Sequence, residues 1–183
     1  GAYFSIFDIS DPANMVRVGG VDMDTDLLQP YDDLYVYGNY AYIPAYTGDR
    51  LVVIDISDPI NPVYLGKLPT HTSNSTWRDI KVYQNHAFVV SEAGGHGMQV
   101  FDLTRLRNVA NPPETFTEDA HYDGFGSSHN IVINEDTGYA YSVGNNTYSG
   151  GPHFVDISNP LSPVAAGGYS VNGYTHDAQV ITY

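Results

Sequence analysis

Leu51-Val-Val-Ile-Asp-Ile-Ser-Asp-Pro-Ile-Asn-Pro62 is an apolar run that leads straight into a turn. Valine and isoleucine are stiff at χ1 and pack well on a pleated surface, so Leu51–Ile54 reads as a buried strand. Asp, Ser and Asn bond the backbone two residues on, and Pro fixes φ, so Asp55–Pro62 reads as a turn. The chain repeats the pattern. Tyr3-Phe-Ser-Ile-Phe-Asp-Ile-Ser-Asp-Pro-Ala-Asn14 precedes it; Met98-Gln-Val-Phe-Asp-Leu-Thr104 and His153-Phe-Val-Asp-Ile-Ser-Asn-Pro-Leu-Ser-Pro163 follow it. The matching aspartates, Asp8, Asp55, Asp102 and Asp156, are 47, 47 and 54 residues apart. A period near 45 built of strands and turns is the mark of a β-propeller blade.

Reading outward from these aspartates gives an all-β chain of four-stranded antiparallel blades. About four blades are visible, the first and last incomplete. Residues 2–9 and Met15–Val21 supply the last two strands of a blade. Asp33–Tyr37, Tyr40–Ala45, the Leu51 strand and Val63–Lys67 make a complete one, with Pro44 expected at an edge or bulge because it donates no hydrogen bond. Asp79–Tyr83, His86–Ser91 and Met98–Asp102 form the third, followed by an irregular insertion from Arg105 to Tyr122. Asn130–Asn134, Tyr139–Val143, His153–Ser158 and Val164–Gly168 form the fourth, and Thr175–Ile181 reopens a first strand. With no linker in sight, residues 1–183 are expected to be one domain, within a larger propeller or closing on itself.

Seven basic against twenty-one acidic residues give a net charge of −14. Such a surface repels nucleic acid and anionic membranes. There is no cysteine, so disulfides, thiol catalysis and thiolate metal sites are excluded. No apolar run reaches the ~20 residues of a transmembrane helix. Sixteen tyrosines, eighteen glycines and eleven prolines suit strands and tight turns. The chain opens inside a strand pattern, as a processed or trimmed product would.

Leu51-Val-Val-Ile-Asp55 and its copies resemble LVIVD repeats. Trp77-Arg-Asp-Ile-Lys-Val, Glu92-Ala-Gly-Gly-His-Gly-Met-Gln-Val-Phe-Asp-Leu, Gly126-Ser-Ser-His-Asn and Tyr174-Thr-His-Asp-Ala-Gln are similar to the choice-of-anchor B family. The resemblance implies a bacterial β-propeller, secreted or held at the cell surface by a C-terminal anchor, and it carries over no catalytic residue. The sequence stops soon after the Thr-His-Asp-Ala-Gln motif, where members of that family continue.

No Gly-x-Ser-x-Gly elbow or phosphate loop is present. Aligning the first strands places Asp33, Asp79, Asn130 and Asp177 at one position of each blade, where a propeller faces its axis. An oxygen-rich row of this kind suits Ca²⁺; alternatively, these side chains bond backbone donors at the strand starts. His96, His129, His153 and His176 fall at strand starts or in loops on one face. They suit Zn²⁺ or a general base less well, because none has a local ligand spacing. His71 and His86 carry no signal. Asp22-x-Asp-x-Asp26 lacks the glycine and glutamate of an EF-hand. Asn74-Ser-Thr76 and Asn145-Asn-Thr147 are glycosylation sequons. Trp77 and the tyrosines offer an aromatic platform for a sugar. The leading expectation is a secreted or surface binding and assembly module with a protein or surface-glycan partner. The alternatives are a metal-dependent hydrolase of lactones or esters, working at Asp33, Asp79, Asn130 and Asp177 with His129 or His176, and a structural subunit of an extracellular fibre or layer.

Overall fold

The computed structural model describes residues 2–24, 33–45 and 50–183. It is all-β, in antiparallel sheets of the blade type. The chain divides into two compact units, residues 1–69 with 108–116, and residues 70–107 with 117–183.

In the first unit, β1 (Ala2–Asp8) and β2 (Val16–Asp24) form an antiparallel ribbon. β3 (Tyr35–Tyr37), β4 (Tyr40–Pro44), β5 (Arg50–Asp55) and β6 (Val63–Pro69) follow as a meander. β5 is buried along Leu51–Ile54, as its unbroken apolar run requires. Met23, Ala41, Ile43, Val52 and Ile54 form the core, with Phe4, Val21 and Tyr64 packed on it. Pro44 ends β4, paired with Leu51 of β5 but past the last residue paired with β3, so its missing N–H falls at a local edge of the sheet.

In the second unit, β7 (Arg78–Tyr83), β8 (His86–Ser91), β9 (Met98–Asp102) and β11 (Ala120–Tyr122) make one sheet. β12 (Asn130–Asn134), β13 (Tyr139–Val143), β14 (His153–Asp156) and β15 (Val164–Gly168) make the next. Phe88, Val90, Met98, Val100, Phe125, Ile131, Val155 and Ile157 fuse the two into one core.

The expected irregular insertion is more ordered than its sequence suggests. Leu103–Asn108 is a 3₁₀ turn, β10 (Glu114–Thr115) pairs in parallel with the outer edge of β6, and β11 completes the third blade. Both strands are too short to show a period. Arg105 holds the return by donating to Thr117 O at 2.7 Å and to the Asp119 carboxylate at 3.0 Å. Thr175–Ile181 is the opposite case. It carries a strand pattern but lies outside the ladders, because a strand exists only where a neighbouring backbone pairs with it.

Asp79 ties the two sheets of the second unit together. Its Oδ1 accepts from Ile80 N at 2.7 Å and its Oδ2 from Ile131 N, in the next blade, at 3.0 Å; Lys81 Nζ sits 2.7 Å and 2.9 Å from the two oxygens. Asp79→Ala leaves the buried Ile131 N–H without an acceptor and removes the carboxylate beside Lys81. It is expected to cost about 2–4 kcal/mol in urea unfolding, with Asp79→Asn recovering part of the loss.

Candidate functional site

Each repeat turn is built alike. The first aspartate caps the amide two residues on: Asp8 Oδ1 accepts from Ser10 N at 2.8 Å, Asp55 from Ser57 N at 2.8 Å, Asp102 from Thr104 N at 2.8 Å and Asp156 from Ser158 N at 2.9 Å. The second Asp or Asn does the same at Ala13, Ile60 and Leu161. At Asp8, Asp11, Asp58 and Asp156 these bonds favour the charged form. Ser10 N–H lowers the Asp8 pKa, the Ser158 hydroxyl that of Asp156, and the Asn14 and Asn61 amides those of Asp11 and Asp58. The conspicuous aspartates therefore serve the turns.

The strand-start row is also engaged with backbone. Asp33 Oδ1 accepts from Leu34 N at 2.7 Å and Asp177 Oδ1 from Ala178 N at 2.8 Å, the same bond that Asp79 makes to Ile80. Asn130 Nδ2 donates to His176 O at 3.0 Å. Among the described residues, no three His, Asp or Glu side chains gather as a metal centre. Part of the Asp22–Asp26 motif lies outside the described residues.

The four histidines separate by depth. His96 is fully buried. Glu118 Oε2 accepts from Gln99 Nε2 at 2.8 Å, which orients the amide so that its Oε1 accepts from His96 Nε2–H at 3.1 Å. Burial drives the His96 pKa down to about 4; Arg78 and His71 lower it further, against the opposing pull of the Gly97 carbonyl and Gln99. His153 is also buried, and burial lowers its pKa. Its protons can be assigned by elimination. Asn145 Nδ2 donates to Ser142 O and Gly151 O, so Asn145 Oδ1 accepts the Thr147 hydroxyl at 2.6 Å. Thr147 Oγ1 then accepts from His153 Nδ1–H at 2.9 Å, and His153 Nε2 accepts the Tyr122 hydroxyl at 2.8 Å. The same network withdraws Asn145 as a glycan acceptor, whereas Asn74 is exposed.

His129 and His176 are the outer pair. Glu92 Oε1 accepts from His129 Nδ1–H at 2.6 Å, which fixes the ring and directs Nε2 away from the carboxylate. The rings then run in series. Trp77 meets His129 edge-on at 5.9 Å, His129 and His176 are 4.3 Å apart, and Tyr174 lies 6.4 Å from His176. Trp77 and Tyr174, at the ends, are 45% and 60% exposed, so the series opens to solvent at both. Gly144 makes this possible: a Cβ there would come 2.7 Å from that of His129 and 3.0 Å from the Tyr174 hydroxyl.

Sequence reading missed a second histidine group. His71 and His121 stack at 3.7 Å and 8°, His71 Nδ1–H donates to Glu118 Oε1 at 2.7 Å, and His121 Nε2–H donates to His96 O at 2.7 Å. The residues come from separate segments, His71 and His96 from loops and His121 from β11, and share no local spacing, so no signal in the sequence joins them.

The repeated blades, each closed by an aspartate-capped turn, define a β-propeller-like repeat protein. The LVIVD repeat model matches residues 1–23, 31–70 and 126–171, more than half of the chain. The chain belongs to the LVIVD repeat family. No curated protein matches it.

The buried histidines set an acid limit. An unfolded histidine titrates near ~6.5, and His96 in the fold near 4, so between these values the unfolded chain binds a proton that the folded one refuses. Stability is therefore full above about pH 6.5 and falls toward pH 4, by roughly 3 kcal/mol for His96. Urea midpoints across this window are expected to fall steeply in the natural chain and less steeply in His96→Gln, where His153 leaves a residual slope.

Proposed function

We propose that the chain is a secreted or cell-surface binding module of the choice-of-anchor B kind, and that Trp77, His129, His176 and Tyr174, with Glu92 behind them, form its contact face for a protein or surface glycan. The observation that carries the reading is the uninterrupted ring series with exposed ends. Trp and Tyr present a large apolar body with a polar edge, which suits sugar rings and protein side chains alike. The net charge of −14 keeps nucleic acid away.

Trp77 is the single tryptophan of the chain, so its emission reads this face directly. Titration with cell-surface polysaccharide fragments and with partners recovered by pull-down is expected to shift that emission. By calorimetry, which does not need the tryptophan, Trp77→Ala and Tyr174→Ala are each expected to weaken binding about tenfold. Full affinity in both variants would remove the face from the function.

The Glu92–His129 pair favours a second reading, hydrolysis of an ester or lactone with His129 Nε2 as the base. Turnover of an ester and lactone panel that disappears in His129→Ala while the fold is retained would put this reading first. A cation at the strand-start row remains part of either reading. Elemental analysis, with melting before and after chelation, measures it.

A further inference from the structure

In the unit formed by residues 1–69 and 108–116, a cleft of about 580 Å³ opens between β2, β6 and the insertion. Its size falls within the ~300–1,000 Å³ usual for small-ligand sites. Val21 and Met23 form one wall, Val63 another, and Pro112 and Pro113 the third. Proline has no N–H, so the third wall offers no amide donor. Asp22, Glu114 and Lys67 also line the cleft, two carboxylates to one ammonium.

The insertion is held firmly enough to make this a built wall. Glu114 and Thr115 pair with Gly66 and Lys67, Phe116 N donates to Lys67 O at 2.8 Å, and the Phe116 ring is buried at 4% exposure. Gly66 has φ 147°, and a Cβ there would overlap the Glu114 carbonyl, so only glycine lets the insertion dock.

We propose that this cleft binds a primary ammonium carried on an apolar body, with the chemistry of a lysine side chain. The apolar walls take the alkyl chain. Asp22 and Glu114 outnumber Lys67 and meet the ammonium, a group with three donors and no acceptor. The acidic surface favours approach of a cation.

The test is saturation-transfer NMR on the full chain with Nα-acetyl-lysine amide and its uncharged analogue Nα-acetyl-norleucine amide, with phenethylammonium as a small amine. The lysine amide is expected to bind, and the norleucine amide to bind at least about tenfold more weakly. Asp22→Asn and Glu114→Gln are each expected to weaken the lysine amide about five- to tenfold, and Val63→Trp to abolish binding by filling the cleft. Binding of the lysine amide but not phenethylammonium identifies a peptide side chain as the occupant; binding of both identifies amines in general. Equal binding of the uncharged analogue, no binding at all, or binding unchanged in Glu114→Gln and Val63→Trp would overturn the proposal. The cleft shares no residue with the ring series, so unchanged Trp77 emission during the titration separates its outcome from that of the proposed contact face.

Discussion

A pair of bonds at the end of the third strand sets the form of every complete blade. The repeat aspartate bends its carboxylate onto the amide two residues on, which closes the turn. The next residue donates its own N–H back to the hairpin between the first and second strands: Ile56 to Asn39 O at 2.8 Å, Leu103 to Asn85 O at 2.8 Å, Ile157 to Gly138 O at 2.9 Å. One dipeptide thus ends a strand, starts a turn and ties that end of the blade to its first hairpin. Leu103 and Ile157 are buried, and a buried amide left without a partner costs about 1–3 kcal/mol, so the hairpin half of the arrangement cannot be dropped cheaply. This explains why Asp-Ile or Asp-Leu recurs while the surrounding residues vary.

The fourth strand carries a second constraint. Register slips at Val18-Gly19, Leu65-Gly66 and Ala166-Gly167 place a bulge at the same point of three blades. A bulge twists an outer strand and breaks its row of unpaired groups, which guards against edge-to-edge association. At β6 the bulge has another consequence. Gly66 leaves room for Glu114, so the insertion covers the edge and builds a cleft wall at once.

Depth divides the histidines by role. His96 and His153 are buried, and burial holds both below the usual histidine range, so the fold favours the neutral rings. They act as polar fasteners in an apolar interior, and acid works against them. His129 and His176 lie at the rim, where Glu92 orients one ring and the other packs on it. A sequence places all four at strand starts or loops without separating these cases, because depth depends on which blade lies behind each loop.

The amino-acid sequence alone determined the repeat, the blade order, the capped turns and most strand positions, because all of these arise from interactions within about ten residues of chain. Ile-Asp-Ile-Ser-Asp-Pro states its own hydrogen bonds. The strand-start row was also visible, but as side-chain type only. Tertiary structure decided what the row does: Asp79 reaches Ile131 across 52 residues, and Asn130 reaches His176 across 46. It likewise decided that Glu114 and Thr115 become a strand, that Thr175–Ile181 stays outside the ladders, that His71 meets His121, and that four rings line up from Trp77 to Tyr174. These are pairings between segments far apart in the chain, and local propensity holds no record of which segment will be the neighbour.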